Sequence, residues 1–423
     1  MREAARLLDA SALTLDPERG FVDQGLDSML GLQLRARLNA ELGAALPPAA
    51  IFVHPTPERL ARAIVERHAE RGAGDGGPPA TPPPQLARTV VTAAGDTPPT
   101  WRNMSPDQTN ARIDHPATPA SQPGPAPAAL DAIAESFERN GFFGPIKVYE
   151  PEEARELLRQ IRIDNLDRSR AVFDNDVNYD RHFDIPALTR HVGHPRIVEV
   201  VRRLLGPDLL CWRSEFFPKF PGGAGTEWHQ VVDYAYATGR PMLESSLGEH
   251  AGPLDLTVWT AFTDATRANG CMKFLPGSHK HRYYDERKSV AKGRAGEYRS
   301  AEAKTAFFGY EFEDFKIDPN WSPDESAAAA MEMRAGECVI FSASCVHASY
   351  PNTTERQTRF AITSRYAPAH VRVYPGWTGF HAHGGTFDLA KYGCVLVSGR
   401  DAYGHNRLRT TNAHGEPFPY VGA

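Results

Sequence analysis

Two histidines in strand-like sequence carry side chains that could bind a metal ion. His229 lies in PGGAGTEWHQVVDYAYATGRP and His347 lies in SASCVHASYPNTTERQTRFAITSRY. Non-haem Fe(II) enzymes use two histidines and one carboxylate on one face of the metal and leave the other positions open. Since the chain has 16 histidines, the pair by itself leaves metal binding and a structural role as alternatives.

The position where a carboxylate ligand would be expected holds a valine instead. Side chains two residues apart on a strand share a face, so an acid two residues after His229 could reach the same metal. That position is Val231, which has no donor atom. The next acid, Asp233, would share the strand face of Val231 but lies too far along the strand to be an easy substitute.

A serine at the start of a predicted helix forms the second candidate site. Ser28 follows Asp27 in FVDQGLDSMLGLQLRARL, where a loop leads into a leucine-rich helix. A helix N-terminus presents unbonded N–H groups and a partial positive charge, which suits a phosphate bonded to the serine oxygen. The alternative is that Asp27 or Ser28 only caps the helix.

Proline placement divides the chain of 423 residues, which is long enough for two or three domains of about 150 residues. Residues 71–128 hold 13 of the 35 prolines. Their Pro/Ala/Gly-rich sequence without apolar periodicity predicts a flexible linker, with a long structured loop as the alternative. Residues 1–70 predict a small all-α helical bundle. Residues 129–423 mix helices and strands, so the chain is predicted to be multidomain.

Local patterns predict the elements of both domains. PTPERLARAIVERH predicts a helix with Thr56 as N-cap and Pro57 at the first position. PAALDAIAESFERNGF, EPEEARELLRQI and HPRIVEVVRRLLG predict further helices. LDLTVWTAFTDA, ECVIFSASCVHASYP and TRFAITSRYAP predict strands. Short strands behind helices favour an α+β double-stranded β-helix, that is, a jelly-roll or cupin-like barrel with flanking helices.

Composition excludes several classes of protein. Lys plus Arg is 47 and Asp plus Glu is 52, a net charge of −5, which gives no electrostatic reason to expect nucleic acid or an anionic membrane as a partner. The five cysteines are scattered and form no CxxC pair, which argues against a disulfide framework and a cysteine zinc site. Without a predicted membrane span or secretory signal, we expect a cytoplasmic protein.

The segment around Ser28 resembles a known carrier domain. GLDSM, the leucine-rich helix and LGAALPPAAIFVHPTPERLARAI are similar to the acyl carrier domain of polyketide synthases, a four-helix bundle. In that family the serine of the DS motif carries a 4′-phosphopantetheine arm. The resemblance implies that role for Ser28 and implies a phosphopantetheinyl transferase as a partner.

The larger domain resembles the syringomycin-type non-haem iron, 2-oxoglutarate-dependent halogenases of the phytanoyl-CoA dioxygenase superfamily. The similar stretches are EFFPKFPGGAGTEWHQ, LTVWTAFTDATRANGCMKFLPGSHK, FFGYEF, PNWSPDESAAAAMEM, VHASYP, FAITSRYAP and LAKYGCVLV. The family implies His229 and His347 as ligands of Fe(II). It replaces the carboxylate with Ala or Gly, and chloride occupies the vacated iron position. Val231 departs from this pattern: chloride fits beside it only if the backbone shifts or the valine rotamer turns away.

The same resemblance implies residues that hold the co-substrate and the halide. Arg359 would bind the distal carboxylate of 2-oxoglutarate, with a surface arginine as the alternative, and Thr226 would contact the same molecule. Trp259 would do so too, unless it is plain core. Arg365 would help to hold chloride.

Two further residues complete the predicted site. Glu215 matches a family glutamate near the metal and would be a supporting group, unless it only forms a strand salt bridge. Thr257 shares the predicted strand face of Trp259 and is a weaker candidate for the halide pocket.

These patterns together predict an O₂-dependent halogenase that chlorinates an unactivated carbon of an acyl or aminoacyl group held as a thioester on a carrier protein. The expected partners are polyketide or nonribosomal peptide synthase enzymes of a natural-product assembly line. One alternative is a hydroxylase or desaturase on the same carrier-bound substrate. Another is a catalytically silent carrier or scaffold protein whose barrel no longer binds iron because Val231 crowds the site.

Overall fold

The structure, a computed structural model of the full chain, describes residues 16–18, 56–72, 126–173, 178–235, 238–248, 252–288, 312–382 and 385–422, together with single positions between 21 and 54. Ser28 lies outside the described residues, as does the predicted linker except for residues 71, 72 and 126–128. The chain divides into two compact units, residues 1–110 and residues 111–423.

The described helix of the first unit has the predicted start. Helix α1 spans Pro57–Gly72, and the Thr56 hydroxyl accepts a hydrogen bond from the Arg59 backbone N–H at 3.3 Å. The first turn of a helix has backbone N–H groups without a partner in the helix. Proline at the first position has no N–H to leave unbonded, and the threonine cap accepts a hydrogen bond from another N–H of this turn. Leu60 and Ile64 are buried on the same side of the helix, as the spacing of four residues requires. Most of the predicted four-helix bundle lies outside the described residues.

Four described α-helices of the second unit each have proline at or next to their first position. A proline there loses no helical hydrogen bond, and its fixed φ favours the helix. None of the helices in the described residues is both long and apolar enough to cross a membrane. The helices of this unit are α2 Pro127–Asn140, α3 Pro151–Asp164, α4 Pro186–Val192 and α5 Pro195–Leu205. The sequence predicted α2, α3 and α5, and these predictions are confirmed.

The strands of the second unit that the structure describes follow in chain order. They are β1 Phe142–Lys147, β2 Leu209–Lys219, β3 Thr226–His229, β4 Leu243–Ser245, β5 Leu256–Ala261, β6 Met272–Phe274, β7 Ala329–Met331, β8 Glu337–Ser342, β9 His347–Ser349, β10 Arg359–Pro368, β11 Val371–Val373, β12 Gly379–Ala382, β13 Gly385–Asp388 and β14 Val395–Ser398.

Two antiparallel sheets dominate this unit. The larger sheet has the strand order β1-β8-β5-β10-β2-β14, and the smaller sheet has the order β3-β9-β6-β7. One buried cluster contains Trp259 and Phe341 from the larger sheet and Phe274 and Met331 from the smaller sheet. The sheets therefore pack on each other through apolar side chains, which supplies the main hydrophobic stabilisation.

One predicted strand is in fact two. The stretch ECVIFSASCVHASYP forms β8 in the larger sheet and β9 in the smaller sheet, with a turn in which the Cys345 N–H donates to the Ser342 carbonyl at 2.8 Å. No proline or glycine lies between the two strands, so composition alone does not mark the corner between the sheets. This turn carries His347 into the smaller sheet.

We expect Phe274→Ala to lower the free energy of unfolding by about 3–5 kcal/mol, because it removes a fully buried ring from the cluster between the sheets. Phe274 is fully buried and stacks on Phe142 with ring centroids 4.6 Å apart. Urea unfolding of the full chain, followed by tryptophan fluorescence, measures the change. The exposed Leu247 is a matched control, since Leu247→Ala should change stability by less than about 0.5 kcal/mol. A loss below about 1 kcal/mol for Phe274→Ala would show that the cluster does not join the sheets.

Candidate active site

Strands β3 and β9 bring the two predicted histidines side by side. His229 and His347 are directly opposite each other in the antiparallel register of these strands. Both side chains are buried, and their ring centroids are 4.1 Å apart. The distant sequence positions therefore converge on one point of the smaller sheet.

Backbone carbonyl groups fix the tautomer of both histidines. Nδ1 of His229 is 2.8 Å from the Glu227 carbonyl oxygen, and Nδ1 of His347 is 2.7 Å from the Cys345 carbonyl oxygen. A carbonyl oxygen only accepts, so each Nδ1 carries the hydrogen and Nε2 is the basic nitrogen. Burial lowers the pKa of His229 to about 4 and lowers the pKa of His347 well below its usual value. Both rings are therefore neutral near pH 7, which is the form that coordinates a metal.

No acidic side chain joins this pair among the described residues, where no group of three metal-binding side chains was found. Val231 is buried and lines the same cavity as the two histidines. Its backbone N–H donates to the Ala343 carbonyl oxygen at 3.0 Å. A metal held by these histidines would thus have open positions that the protein does not occupy with a charged ligand.

The prediction that Asp233 shares a strand face with Val231 is wrong. Strand β3 ends at His229, so the period of two does not continue. The Asp233 carboxylate instead forms an ion pair with Arg287, with Oδ2 2.6 Å from Nη2.

Two buried side chains fix the backbone on either side of Val231. The Gln230 side-chain amide donates to the carbonyl oxygens of His281 and Ser344 and accepts from the Tyr283 N–H at 2.9 Å. The Glu286 carboxylate accepts from the backbone N–H groups of Val232 and Ala235. A shift of this backbone would break several buried hydrogen bonds, each of which is costly to lose. Rotation of the valine side chain is the less costly way to make room.

Arg359 is a buried cation, so the alternative of a surface arginine is excluded. It is 3% exposed, its guanidinium carbon lies 4.9 Å from the centre of the Trp259 ring, and Nη1 donates to the Phe217 carbonyl oxygen at 3.1 Å. In the described part of the chain its Nε has no hydrogen-bond partner, and no carboxylate lies within ion-pair distance. Burial lowers the pKa of Arg359 to about 9. A buried cation without a carboxylate partner is stabilised by an anion beside it.

Arg365, by contrast, has several protein partners, one of them a carboxylate. Its guanidinium forms an ion pair with Glu215 at 2.7 Å and donates to the hydroxyls of Thr257 and Tyr234, each at 2.7 Å. Tyr234 in turn donates to Asp255 at 2.7 Å. Glu215 therefore orients Arg365 from behind. The predicted alternatives of supporting group and strand salt bridge describe this same contact.

A cavity between the sheets, partly open to solvent, unites these groups. Two predicted residues are not part of its wall: Glu215 lies behind Arg365, and Ser28 lies outside the described residues. The remaining predicted site residues all line this cavity; they are Thr226, His229, Val231, Thr257, Trp259, His347, Arg359 and Arg365.

The sequence did not single out several residues that the structure places at this site. Ser349 lines the cavity and could have been found, because it lies two residues after His347 on the same strand. Tyr234 adopts φ +64°, a left-handed conformation that is strained for a tyrosine and typical of functional sites. Lys219 is opposite Arg359 in the register of β2 and β10. No sequence pattern reveals that pairing.

Comparison with known proteins places both parts of the chain. Residues 137–361 match the phytanoyl-CoA dioxygenase (PhyH) family, and residues 1–64 match the phosphopantetheine attachment site. A solved structure of CytC3 with Fe(II) and alpha-ketoglutarate is 35% identical, covers 71% of this chain and 99% of its own, and has a TM-score of 0.54. Another CytC3 structure is 37% identical, with a TM-score of 0.55 and coverage of 71% and 98%.

Curated relatives match separate segments. Polyketide synthase GfsA of Streptomyces halstedii is 48% identical over 61 residues, which are 14% of this chain and 1% of GfsA. A probable alpha-ketoglutarate-dependent hypophosphite dioxygenase of Stutzerimonas stutzeri is 25% identical over 219 residues, which are 52% of this chain and 63% of that protein. This chain thus spans a small part of the synthase and less than two thirds of the dioxygenase.

The dioxygenase match extends over more than half of the residues, and the CytC3 likeness covers nearly all of that protein. The chain belongs to the phytanoyl-CoA dioxygenase family, a family of Fe(II)- and 2-oxoglutarate-dependent oxidoreductases, and it carries a phosphopantetheine-binding domain in residues 1–64.

Proposed function

We propose that this protein is an Fe(II)/2-oxoglutarate-dependent halogenase that acts on an acyl or aminoacyl group carried as a thioester by a carrier protein. The observation that carries the proposal is the buried pair of His229 and His347 with a valine, Val231, where an iron carboxylate would be expected. A metal held by two neutral imidazoles keeps room and positive charge for an anion from solution.

The residues present fit the iron and its co-substrate. Nε2 of His229 and of His347 would hold Fe(II), and Arg359 would bind the distal carboxylate of 2-oxoglutarate, because it is a buried cation with an unsatisfied Nε. When bound, iron with 2-oxoglutarate and O₂ supplies the oxidising power that removes hydrogen from an unactivated carbon. The chain's own residues bind these groups, orient them and exclude water.

Chloride would occupy the open position next to Val231. Arg365 lines this cavity and keeps its charge because Glu215 holds it in place, so it would favour a halide in the same cavity. The Thr257 hydroxyl accepts a hydrogen bond from Arg365 and would border the halide pocket. Overall, the substrate C–H bond and chloride become a C–Cl bond, while 2-oxoglutarate, O₂ and a proton become succinate, CO₂ and water.

The N-terminal domain supports delivery of the substrate on a tether. We propose residues 1–70 as the carrier, residues 71–128 as a flexible linker, and residues 129–423 as the catalytic domain, whose two sheets would form a double-stranded β-helix. Ser28 would carry 4′-phosphopantetheine, attached by a phosphopantetheinyl transferase. A tether raises the local concentration of the acyl group at the cavity. The likeness to polyketide synthase segments supports assembly-line enzymes as partners.

A hydroxylase or desaturase is the second candidate, and one observation favours it. The backbone at Val231 is fixed by Gln230 and Glu286, so the two γ-methyl groups leave less room for chloride than alanine or glycine would. With water in place of the halide, the substrate carbon would gain a hydroxyl group or lose a second hydrogen instead of gaining chlorine.

The first prediction of this proposal concerns the metal. His229→Ala and His347→Ala should each abolish the visible absorption band that Fe(II) and 2-oxoglutarate give anaerobically, because one imidazole cannot hold the metal in a closed pocket. His279→Ala is the matched control, since its ring lies away from the cavity and contacts the Glu138 carbonyl oxygen. Absence of the band in the unmodified protein would favour a silent scaffold.

The second prediction concerns the residue beside the metal. Val231→Ala should raise the ratio of chlorinated to hydroxylated product, because it removes two methyl groups without adding a donor atom. Val231→Asp should abolish chlorination, because its carboxylate takes the halide position. Mass spectrometry of the carrier-bound product, at constant chloride, measures both. If Val231→Asp retains chlorination, the halide does not bind next to this residue.

The third prediction concerns the tether. Treatment with a phosphopantetheinyl transferase and coenzyme A should add one phosphopantetheine to the full chain, and Ser28→Ala should prevent the addition because it removes the accepting oxygen. Ser11→Ala is the control and should be modified normally. Intact-protein mass spectrometry reads the result. Modification of the Ser28→Ala protein would place the arm elsewhere.

A further inference from the structure

Two cationic side chains lie next to each other at one end of the cavity. Lys219 is the last residue of β2, and its register partner Arg359 is the first residue of β10. Both are nearly buried, and neither has a carboxylate within ion-pair distance in the described part of the chain. Burial and then the charge of Arg359 lower the pKa of Lys219 to about 7. An anion in the cavity would stabilise the charged form of Lys219.

The hydrogen bonds of Lys219 determine the direction of two hydroxyl groups. Lys219 Nζ donates to Ser349 Oγ at 2.7 Å and to the Tyr350 carbonyl oxygen at 2.8 Å. Ser349 Oγ also accepts from the Thr226 backbone N–H at 3.1 Å. With both acceptor positions used, Ser349 directs its own hydrogen to Thr226 Oγ1 at 2.9 Å. The Thr226 hydroxyl therefore accepts from Ser349 and directs its hydrogen elsewhere, at a position that lines the cavity.

We propose that Lys219 is a positioning residue for the co-substrate: its ammonium orients the Ser349–Thr226 hydroxyl pair so that Thr226 donates a hydrogen bond to the distal carboxylate of 2-oxoglutarate. The proposal rests on the proposed function. It assigns to Lys219, which does not line the cavity, a share in co-substrate binding through the two hydroxyl groups. Without Lys219, Ser349 could reverse its hydrogen bond, and Thr226 would lose its preferred direction.

A purely structural role for Lys219 has to be separated from this one. The aliphatic stem packs on Gly270, where an added Cβ would lie 2.4 Å from Lys219 Cδ. Gly270 has φ +96°, a backbone conformation that favours glycine. The stem of Lys219 packs closely on this glycine. Lys219→Met keeps an unbranched stem of similar length over Gly270 and removes only the ammonium group. Lys219→Ala would instead leave a cavity over Gly270, so a change in binding could come from lost packing as well as from the lost ammonium group.

The experiment measures the dissociation constant of 2-oxoglutarate from the full chain loaded with Fe(II) under anaerobic conditions, using the visible band. We expect Lys219→Met to weaken 2-oxoglutarate binding about tenfold, as for the loss of one hydrogen bond to a charged group. Binding of 2-oxobutanoate, which has the same chelating end but no distal carboxylate, should not change. A thermal melt confirms that the variant is folded.

A double-mutant cycle tests the path through the hydroxyl groups. Thr226→Val should also weaken 2-oxoglutarate binding, and Thr226→Ser should restore it, since serine keeps the donor. If Lys219 acts through Thr226, the variant with both Lys219→Met and Thr226→Val should bind about as weakly as the weaker single variant, rather than showing the product of the two losses.

Two results would overturn the inference. One is an unchanged 2-oxoglutarate dissociation constant in folded Lys219→Met; the other is equal weakening of 2-oxobutanoate, which would show a general effect on the pocket. Both differ from failure of the proposed function, in which the unmodified protein itself gives no band with Fe(II) and 2-oxoglutarate.

Discussion

The cavity between the two sheets and the residues next to it hold buried positive charge that neighbouring carboxylates do not balance. Glu215 is shared between two arginines, Arg365 and Arg213, and Arg359 and Lys219 have no acidic partner among the described residues. The histidine pair contributes neutral imidazoles, and the neighbouring valine contributes no charge. Buried cations are costly without anions. The site is therefore built to take its negative groups from solution, and the proposed dicarboxylate and halide are such groups.

The two-sheet architecture explains why the unbalanced positive charge is concentrated at the cavity. The smaller sheet supplies the histidine pair through β3 and β9, and the larger sheet supplies the arginines through β10. Residues 359 and 365 both line the cavity although they are six positions apart on one long strand. Trp259, Met272 and Phe341 of this apolar cluster also line the cavity, so charges there interact more strongly than they would in bulk solvent. Stability and binding thus depend on the same packing.

Local patterns in the sequence predict those structural features, such as the face of a strand, that depend only on residues close together in the chain. The period of two predicts that Thr257 and Trp259 share a face, and both line the cavity. The same rule fails at Asp233, because the strand has already ended at His229. Lys219 was not predicted, since its role depends on the register of β2 against β10. Such register is set by long-range packing, which one strand's pattern does not contain.

X-ray absorption at the iron edge tests the central claim most directly. The full chain would be loaded anaerobically with Fe(II), 2-oxoglutarate and bromide, because bromide is a heavy scatterer that reports on the halide position. We expect one bromide in the first coordination shell of iron, together with nitrogen and oxygen ligands. A first shell that contains only nitrogen and oxygen would contradict the account, because the open position next to Val231 would then be occupied by water or by an oxygen of the protein.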